Sequence, residues 1–404
     1  MEPKMNQPSE LRLRLQSLAV FRRLLSDPVV EKFDALLTAL SGEETEALIG
    51  RYSDFAAALY EYGVSFSSYL LTLALEDENV YMLCRAEGKE PSPILEEAVG
   101  AELETLRAVS AVSCEEIQAV IREKGFTGFL PRWECGTLDF AEIYMSRLRS
   151  IHEYGYGVFA KYTTFMIESG ALVPVKHPDA ISLSELGGYQ RERQMVIDNT
   201  LALIEGRPAA NALLYGDAGT GKSSTVKAVA NAYAERGLRL IEIKKNQLHE
   251  IPHLVDQLSK NPLKFILFID DLSFSKDDDN FAALKAILEG SVSARANNLA
   301  VYATSNRRHL VKEDFSDRQG TDLHVTDTIQ ELTSLSDRFG LTITFQKPGK
   351  QVYLEIVHDL AIQNGIGLSI EDLDRQAEAF AIGRGGRSPR AAKQFIDFLL
   401  SEGN

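Results

Sequence analysis

Asn211-Ala212-Leu213-Leu214-Tyr215-Gly216-Asp217-Ala218-Gly219-Thr220-Gly221-Lys222-Ser223-Ser224 decides how the rest of the chain is read. Residues 216–223 satisfy G-x-x-x-x-G-K-[ST] at every fixed position. A short apolar run precedes the motif and helical spacing continues from Lys222 through Tyr233, so the context is strand, glycine loop, helix. Glycines let consecutive backbone N–H groups curl towards phosphate oxygens, and the start of the helix adds partial positive charge. On this reading Gly216, Asp217, Ala218, Gly219, Thr220, Gly221, Lys222, Ser223 and Ser224 hold the phosphates of ATP. Lys222 reaches the β- and γ-phosphates, and Ser223 binds Mg2+. A glycine-rich turn without a ligand is the bland alternative, and the flanking strand and helix weigh against it.

Working outward, Phe265-Ile266-Leu267-Phe268-Ile269 is apolar throughout, as a central strand buried on both faces should be. It ends in Asp270-Asp271. Adjacent carboxylates at the end of a buried strand are costly without a cation or a polar network. Asp270 therefore suits the Mg2+ shell, while Asp271 is either a catalytic base or an N-cap for the next segment. Further strands are expected at Asn211–Tyr215, Arg239–Ile243, Leu299–Ala303 and Leu341–Phe345, alternating with helical stretches. That alternation predicts a parallel α/β sheet.

The flanks are helical. Residues 1–170 carry helix-spaced apolar positions such as Phe33, Leu36, Leu37 and Leu40 after Ser26-Asp27-Pro28, and a capping box at Ser113-Cys114-Glu115-Glu116. No catalytic constellation stands out there. Residues 171–179, with two prolines, read as a linker. From 347 the pattern is helical again, with Ser388-Pro389 opening the last helix. The expected organisation is a helical domain (1–170), a linker (171–179), an α/β nucleotide-binding core (180–346) and a helical C-terminal part (347–404).

The 404 residues, 45% apolar and 25% charged, suit a soluble globular chain of two or three domains. No apolar run approaches the ~18 residues of a membrane helix, and no secretory signal follows Met1, so a cytoplasmic location is expected. Three cysteines, Cys84, Cys114 and Cys135, give neither an even count nor zinc spacing. The net charge of −15 disfavours nucleic acid as a partner, although Arg384, Arg387, Arg390 and Lys393 form a local basic cluster. His249-Glu250-Ile251-Pro252-His253 matches H-E-x-x-H, but Pro252 interrupts the continuous helix that this zinc motif needs. Gly155-Tyr156-Gly157 is half a dinucleotide fingerprint and reads as a turn. Lys276-Asp277-Asp278-Asp279-Asn280 lacks calcium-loop spacing and reads as a solvated loop.

Three further strings, in order, resemble the AAA+ ATPases. Val301-Tyr302-Ala303-Thr304-Ser305-Asn306 resembles sensor 1, with Asn306 near the attacking water or γ-phosphate. Ser334-Leu335-Ser336-Asp337-Arg338-Phe339-Gly340 resembles the arginine-finger segment of the initiator and helicase-loader branch, and Gly386-Arg387-Ser388-Pro389-Arg390 resembles sensor 2. The resemblance is closer still to one uncharacterised bacterial AAA+ family. It rests on Gly188-Tyr189, Asn199-Thr200, Asp270-Asp271-Leu272-Ser273-Phe274, Tyr302-Ala303-Thr304-Ser305-Asn306-Arg307-Arg308-His309-Leu310 and the Ser334–Gly340 string, and covers about residues 180–400. It implies a P-loop core with a helical lid and Mg2+ on Ser223 and Asp270. Catalytic roles fall to Asp271, Asn306 and Arg338, and Arg390 touches the nucleotide. Asp271 stands where many AAA+ ATPases have a glutamate that activates water. An arginine finger acts on a neighbour's nucleotide, so a homo-oligomer is implied. Three functions compete beyond ATP and ADP binding: remodelling of an unidentified protein client, helicase-loader-like work on nucleic acid, and a slow-turnover switch.

Overall fold

A computed structural model describes residues 8–42, 44–273, 284–285, 287–288, 297–306 and 338–401. The strings at Arg307–Leu310 and Ser334–Asp337, Phe274, and the acidic loop at Lys276–Asn280 lie outside these residues. The chain divides into two compact units, Met1–Lys161 and Tyr162–Asn404.

The first unit is helical. Its helix Pro28–Leu40 starts where expected, because the Asp27 carboxylate accepts the otherwise orphaned N–H groups of Val29 (2.9 Å) and Val30 (3.2 Å). The helix Cys114–Glu123 carries the full capping box between Ser113 and Glu116. Phe33, Phe55, Phe66 and Trp133 form an aromatic cluster in its core, with ring centroids 4.6–5.0 Å apart. Cys114 is buried, and none of the three cysteines is in a disulfide. One polar group is central to this unit. Glu102, on the helix Pro93–Ser110, is buried, and its carboxylate accepts the backbone N–H groups of Ala19 (2.8 Å), Val20 (3.0 Å) and Phe21 (3.0 Å).

The second unit is built on a seven-stranded sheet of order β2-β1-β4-β5-β6-β3-β7. Its strands are β1 (Thr164–Glu168), β2 (Ala171–Pro174), β3 (Ala212–Gly216), β4 (Leu238–Glu242), β5 (Lys264–Ile269), β6 (Leu299–Ser305) and β7 (Leu341–Phe345). All neighbours pair in parallel except β2, which runs antiparallel at the edge beside β1. This is the α/β architecture of a P-loop NTPase of the AAA+ type. The five expected strands are present within a residue or two of their expected bounds.

The organisation before them differs from expectation. Residues 171–174 are a strand, not a linker, and the division between units falls at 161/162, not near 170. The reason is local. Phe165 and Ile167 alternate inward on β1, and Ser169-Gly170 form a two-residue turn with both φ positive (51° and 79°). That geometry suits the twist of a hairpin. The Pro174 ring is tolerated because β2 is an edge strand.

Three helices, Lys350–Gln363, Ile370–Gly383 and Pro389–Ser401, form the C-terminal part around their own apolar core, which includes Tyr353, Ile356, Ala377 and Phe395. Ser388 accepts the Ala391 N–H at 3.1 Å, the cap that its place before Pro389 predicts. Among the described residues no helix is long and apolar enough to cross a membrane.

Glu102 offers a direct test of the first unit. In Glu102→Gln an NH2 group replaces an oxygen and faces backbone donors. The substitution should destabilise the unit by about 1–3 kcal/mol, read as a lower midpoint in a denaturant melt. An unchanged midpoint would show that the buried carboxylate does not hold the 19–21 turn.

Candidate functional site

The carboxyl ends of β5, β6 and β3 lie side by side, because these strands are neighbours in the sheet. Open α/β sheets bind ligands beyond the carboxyl ends of their strands, where the strand order reverses. Here a cleft of about 750 Å3 opens at that place.

The glycine loop forms one wall. Gly216 ends β3 at φ 142°, and a Cβ there would sit 2.0 Å from the Phe345 carbonyl oxygen on β7, so no larger residue fits. The helix Lys222–Ala232 begins at Gly221, itself at φ 89°. The Lys222 ammonium folds back on the loop, donating to the Gly216 carbonyl (2.9 Å), the Asp217 carbonyl (2.8 Å) and Asn306 Oδ1 (3.0 Å). Burial pulls its pKa below the ordinary lysine range, while Asp217, Asp271 and Asp270 oppose that shift.

Two carboxylates form the opposite wall. Ser223 Oγ donates to Asp270 Oδ1 at 2.6 Å, and Thr304 Oγ1 donates to the same oxygen at 2.5 Å. Asp271 accepts from Asn306 Nδ2 at 2.7 Å. The Asn306 amide thus bridges a lysine that can only donate and a carboxylate that can only accept, which fixes its orientation. Although β5 is buried, both aspartates are exposed to the cleft. The desolvation cost expected from their position at the end of an apolar strand therefore does not arise.

The C-terminal helices close over the loop. Arg390 N–H donates to the Gly219 carbonyl (3.2 Å), and the Lys347 N–H, just after β7, donates to the Asp217 carboxylate (2.9 Å). Arg390 and Lys393 line the cleft. The other two members of the basic cluster are used elsewhere. Arg387 makes a two-pronged ion pair with Glu378, and Arg384 lies over the Phe380 ring. Tyr189 borders the cleft with its ring against Phe345, and its hydroxyl donates to the Gln346 carbonyl at 2.5 Å. Arg193, Gln363 and Asn364 also line it. The Gly188-Tyr189 pair marks the family in the sequence but assigns Tyr189 no role in the site, and no local motif marks Arg193, Gln363 or Asn364.

The structure brings Ser223, Ser224, Asp270, Asp271, Asn306 and Arg390 to one cleft with the glycine loop. Arg338 is elsewhere. It precedes β7, beside Arg207, Asn211 and Gly340 in a second recess of about 630 Å3. Because β7 runs parallel to β3, that recess lies at the start of β3 and the glycine loop at its end. The five residues of β3 separate them by about 17 Å at roughly 3.3 Å per residue. His249 and His253 fall on different elements, a 3-10 turn at Lys245–Glu250 and the helix Ile251–Leu258, with Pro252 at the helix start.

Over 115 residues the chain is 33% identical to the 26S proteasome regulatory subunit 6B homolog of Schizosaccharomyces pombe; the match takes in 25% of this chain. It spans 29% of that relative, less than a third of its length. The fold and this likeness together support a relationship to the AAA+ ATPases. Residues 159–403, from just before β1 to the end of the last helix, match the family described as Protein of unknown function (DUF815), and the chain belongs to that family.

Proposed function

We propose that the chain is a Mg2+-dependent ATP hydrolase that works as a homo-oligomer and couples hydrolysis to remodelling of a protein partner. The observation that carries this is the meeting of Lys222, Ser223, Asp270, Asp271 and Asn306 at the ends of three adjacent parallel strands. Such a site needs no covalent chemistry from the protein, since phosphoryl transfer is driven by positioning and charge stabilisation.

In this reading the N–H groups of the glycine loop cradle the phosphates. Lys222 leaves the Gly216 and Asp217 carbonyls and turns to the β- and γ-phosphates. Ser223 Oγ and Asp270 Oδ1 are hard oxygen donors 2.6 Å apart and open to the cleft. They fit Mg2+, which takes few protein ligands and keeps its water and phosphate oxygens. Held by Ser223 and Asp270, Mg2+ would supply positive charge against the phosphates. Asp271 accepts a proton from the attacking water, and Asn306 holds that carboxylate and the water in line. Arg390 reaches the nucleotide from the lid.

Arg338 is assigned to a neighbouring subunit's nucleotide, a reading supported by its distance from its own glycine loop. A protein client is favoured over nucleic acid by the net charge of −15, by the engagement of Arg384 and Arg387 within the lid, and by a relative named as a proteasome regulatory subunit. The helical unit is proposed to engage that client. A second reading, a slow-turnover switch, is favoured by one observation: the short Asp271 side chain is already committed to Asn306. A turnover rate measured alongside ATP affinity separates the two.

Lys222→Ala should abolish ATP binding measured by calorimetry while leaving the circular dichroism spectrum unchanged, because a cleft side chain is removed and no apolar packing is lost. Binding close to wild type would remove the basis of the assignment. The two aspartates should separate by phenotype. Asp270→Ala should lose Mg2+-dependent binding and turnover together. Asp271→Asn should keep ATP and lose turnover, since the amide cannot take the proton. Normal hydrolysis by Asp271→Asn would make that carboxylate structural only.

Arg338→Ala should lower turnover by about 10³–10⁵ with little change in ATP affinity. Mixed with Asp271→Asn subunits it should regain activity, because some interfaces then combine a sound site with a sound arginine. Co-assembly without recovery would show that Arg338 does not act across subunits.

A further inference from the structure

Asp270 and Asp271 are consecutive, and consecutive residues of a strand point to opposite faces. Both carboxylates nevertheless face one cleft. The chain achieves this by leaving the strand conformation at Asp271, which adopts φ 53°. A non-glycine residue rarely holds the left-handed region unless its surroundings impose it.

The Asp271 N–H reaches back to Asp270 Oδ1 at 3.1 Å, and the rest of those surroundings comes from one residue on the neighbouring strand. Phe268 on β5 pairs with Tyr302 on β6, and the same register continued by two residues sets Asp270 beside Thr304. Thr304 is 2% exposed. Its hydroxyl donates its single proton to Asp270 Oδ1 (2.5 Å) and accepts the Asp271 N–H (2.9 Å). Its carbonyl accepts the Leu272 N–H at 2.7 Å. The direction of each bond is fixed, because the carboxylate has no proton to give and the amide nothing to accept with. Together with Ser223 Oγ, the Thr304 side chain thus holds the first carboxylate, and it also holds the backbone turn that aims the second. Asn306, two residues further on and just past the end of β6, meets Asp271 only after that turn.

We propose that Thr304 is a positioning residue for ATP hydrolysis, holding Asp270 towards the metal site and Asp271 towards the attacking water through its hydroxyl. This rests on the hydrolase reading above. In this proposal the Thr304 methyl group has no part, and the hydroxyl acts through its bonds to Asp270 and to the Asp271 N–H.

Thr304→Val keeps the shape and removes the hydroxyl, and Thr304→Ser keeps the hydroxyl. Steady-state ATP hydrolysis by the full chain, Mg2+ titrations of that activity, and nucleotide affinity measured without Mg2+ test the idea. Thr304→Val should lose about 10²-fold in kcat, the scale expected when catalytic groups are misplaced by about 1 Å. It should need more Mg2+ for half-maximal activity, and its metal-free nucleotide affinity should match wild type. Thr304→Ser should restore both kcat and the Mg2+ requirement. Normal kcat in Thr304→Val, or failure of Thr304→Ser to rescue it, overturns the proposal while leaving the hydrolase reading intact. A loss of metal-free affinity equal to the loss of kcat assigns Thr304 to general packing and also overturns it. A wild-type protein that binds ATP but never hydrolyses it refutes the hydrolase reading and this proposal with it.

Discussion

The parallel pairing of β5, β6 and β3 is the constraint on which the site depends. Parallel neighbours bring their carboxyl ends to one edge of the sheet, so three loops far apart in sequence open side by side. The glycine loop follows β3, the aspartate pair follows β5, and Asn306 follows β6. Burial sustains the pairing: Leu214, Ile266, Phe268, Ala300 and Tyr302 share one apolar cluster on one face of the sheet. Tyr302 adds a polar anchor, since its hydroxyl bonds with Asn199 and Thr200 at 2.9 Å each, tying β6 to the helix Gln190–Ile204. A shift of β6 by one residue would turn Thr304 and Asn306 to the other face.

The close packing of β7 against the loop has a second consequence. Gly216 lies against the Phe345 carbonyl, and the lid begins just after that strand. The lid then returns to the loop through the Arg390 N–H on Gly219 and the Lys347 N–H on Asp217. These links use backbone N–H groups that no side-chain motif announces.

Much of this is legible in the sequence where a local rule governs. Asp27-Pro28 and Ser113–Glu116 predict helix starts because a cap needs only the next three residues. The strand–loop–helix at 211–233 is a continuous motif. The hairpin at Thr164–Pro174 obeys local rules too, since Ser169-Gly170 between alternating apolar residues is a turn signal. It is hidden because Pro174 and Pro178 suggest a linker, and only the edge position of β2 makes the first of them tolerable. Glu102 cannot be read as buried, because the three N–H groups it accepts belong to a turn some eighty residues earlier.

The sequence by itself determined the glycine loop, the apolar strand that ends in two carboxylates, and Asn306 closing another strand, because each is specified by residues within a few positions. Only the tertiary structure decided that Asp271 turns out of its strand, that Thr304 holds that turn, and that Arg338 stands about 17 Å from its own glycine loop. These depend on which strands become neighbours and in what register. Strand order is set by burying whole apolar faces at once, a property of the assembled sheet that no short stretch of residues contains.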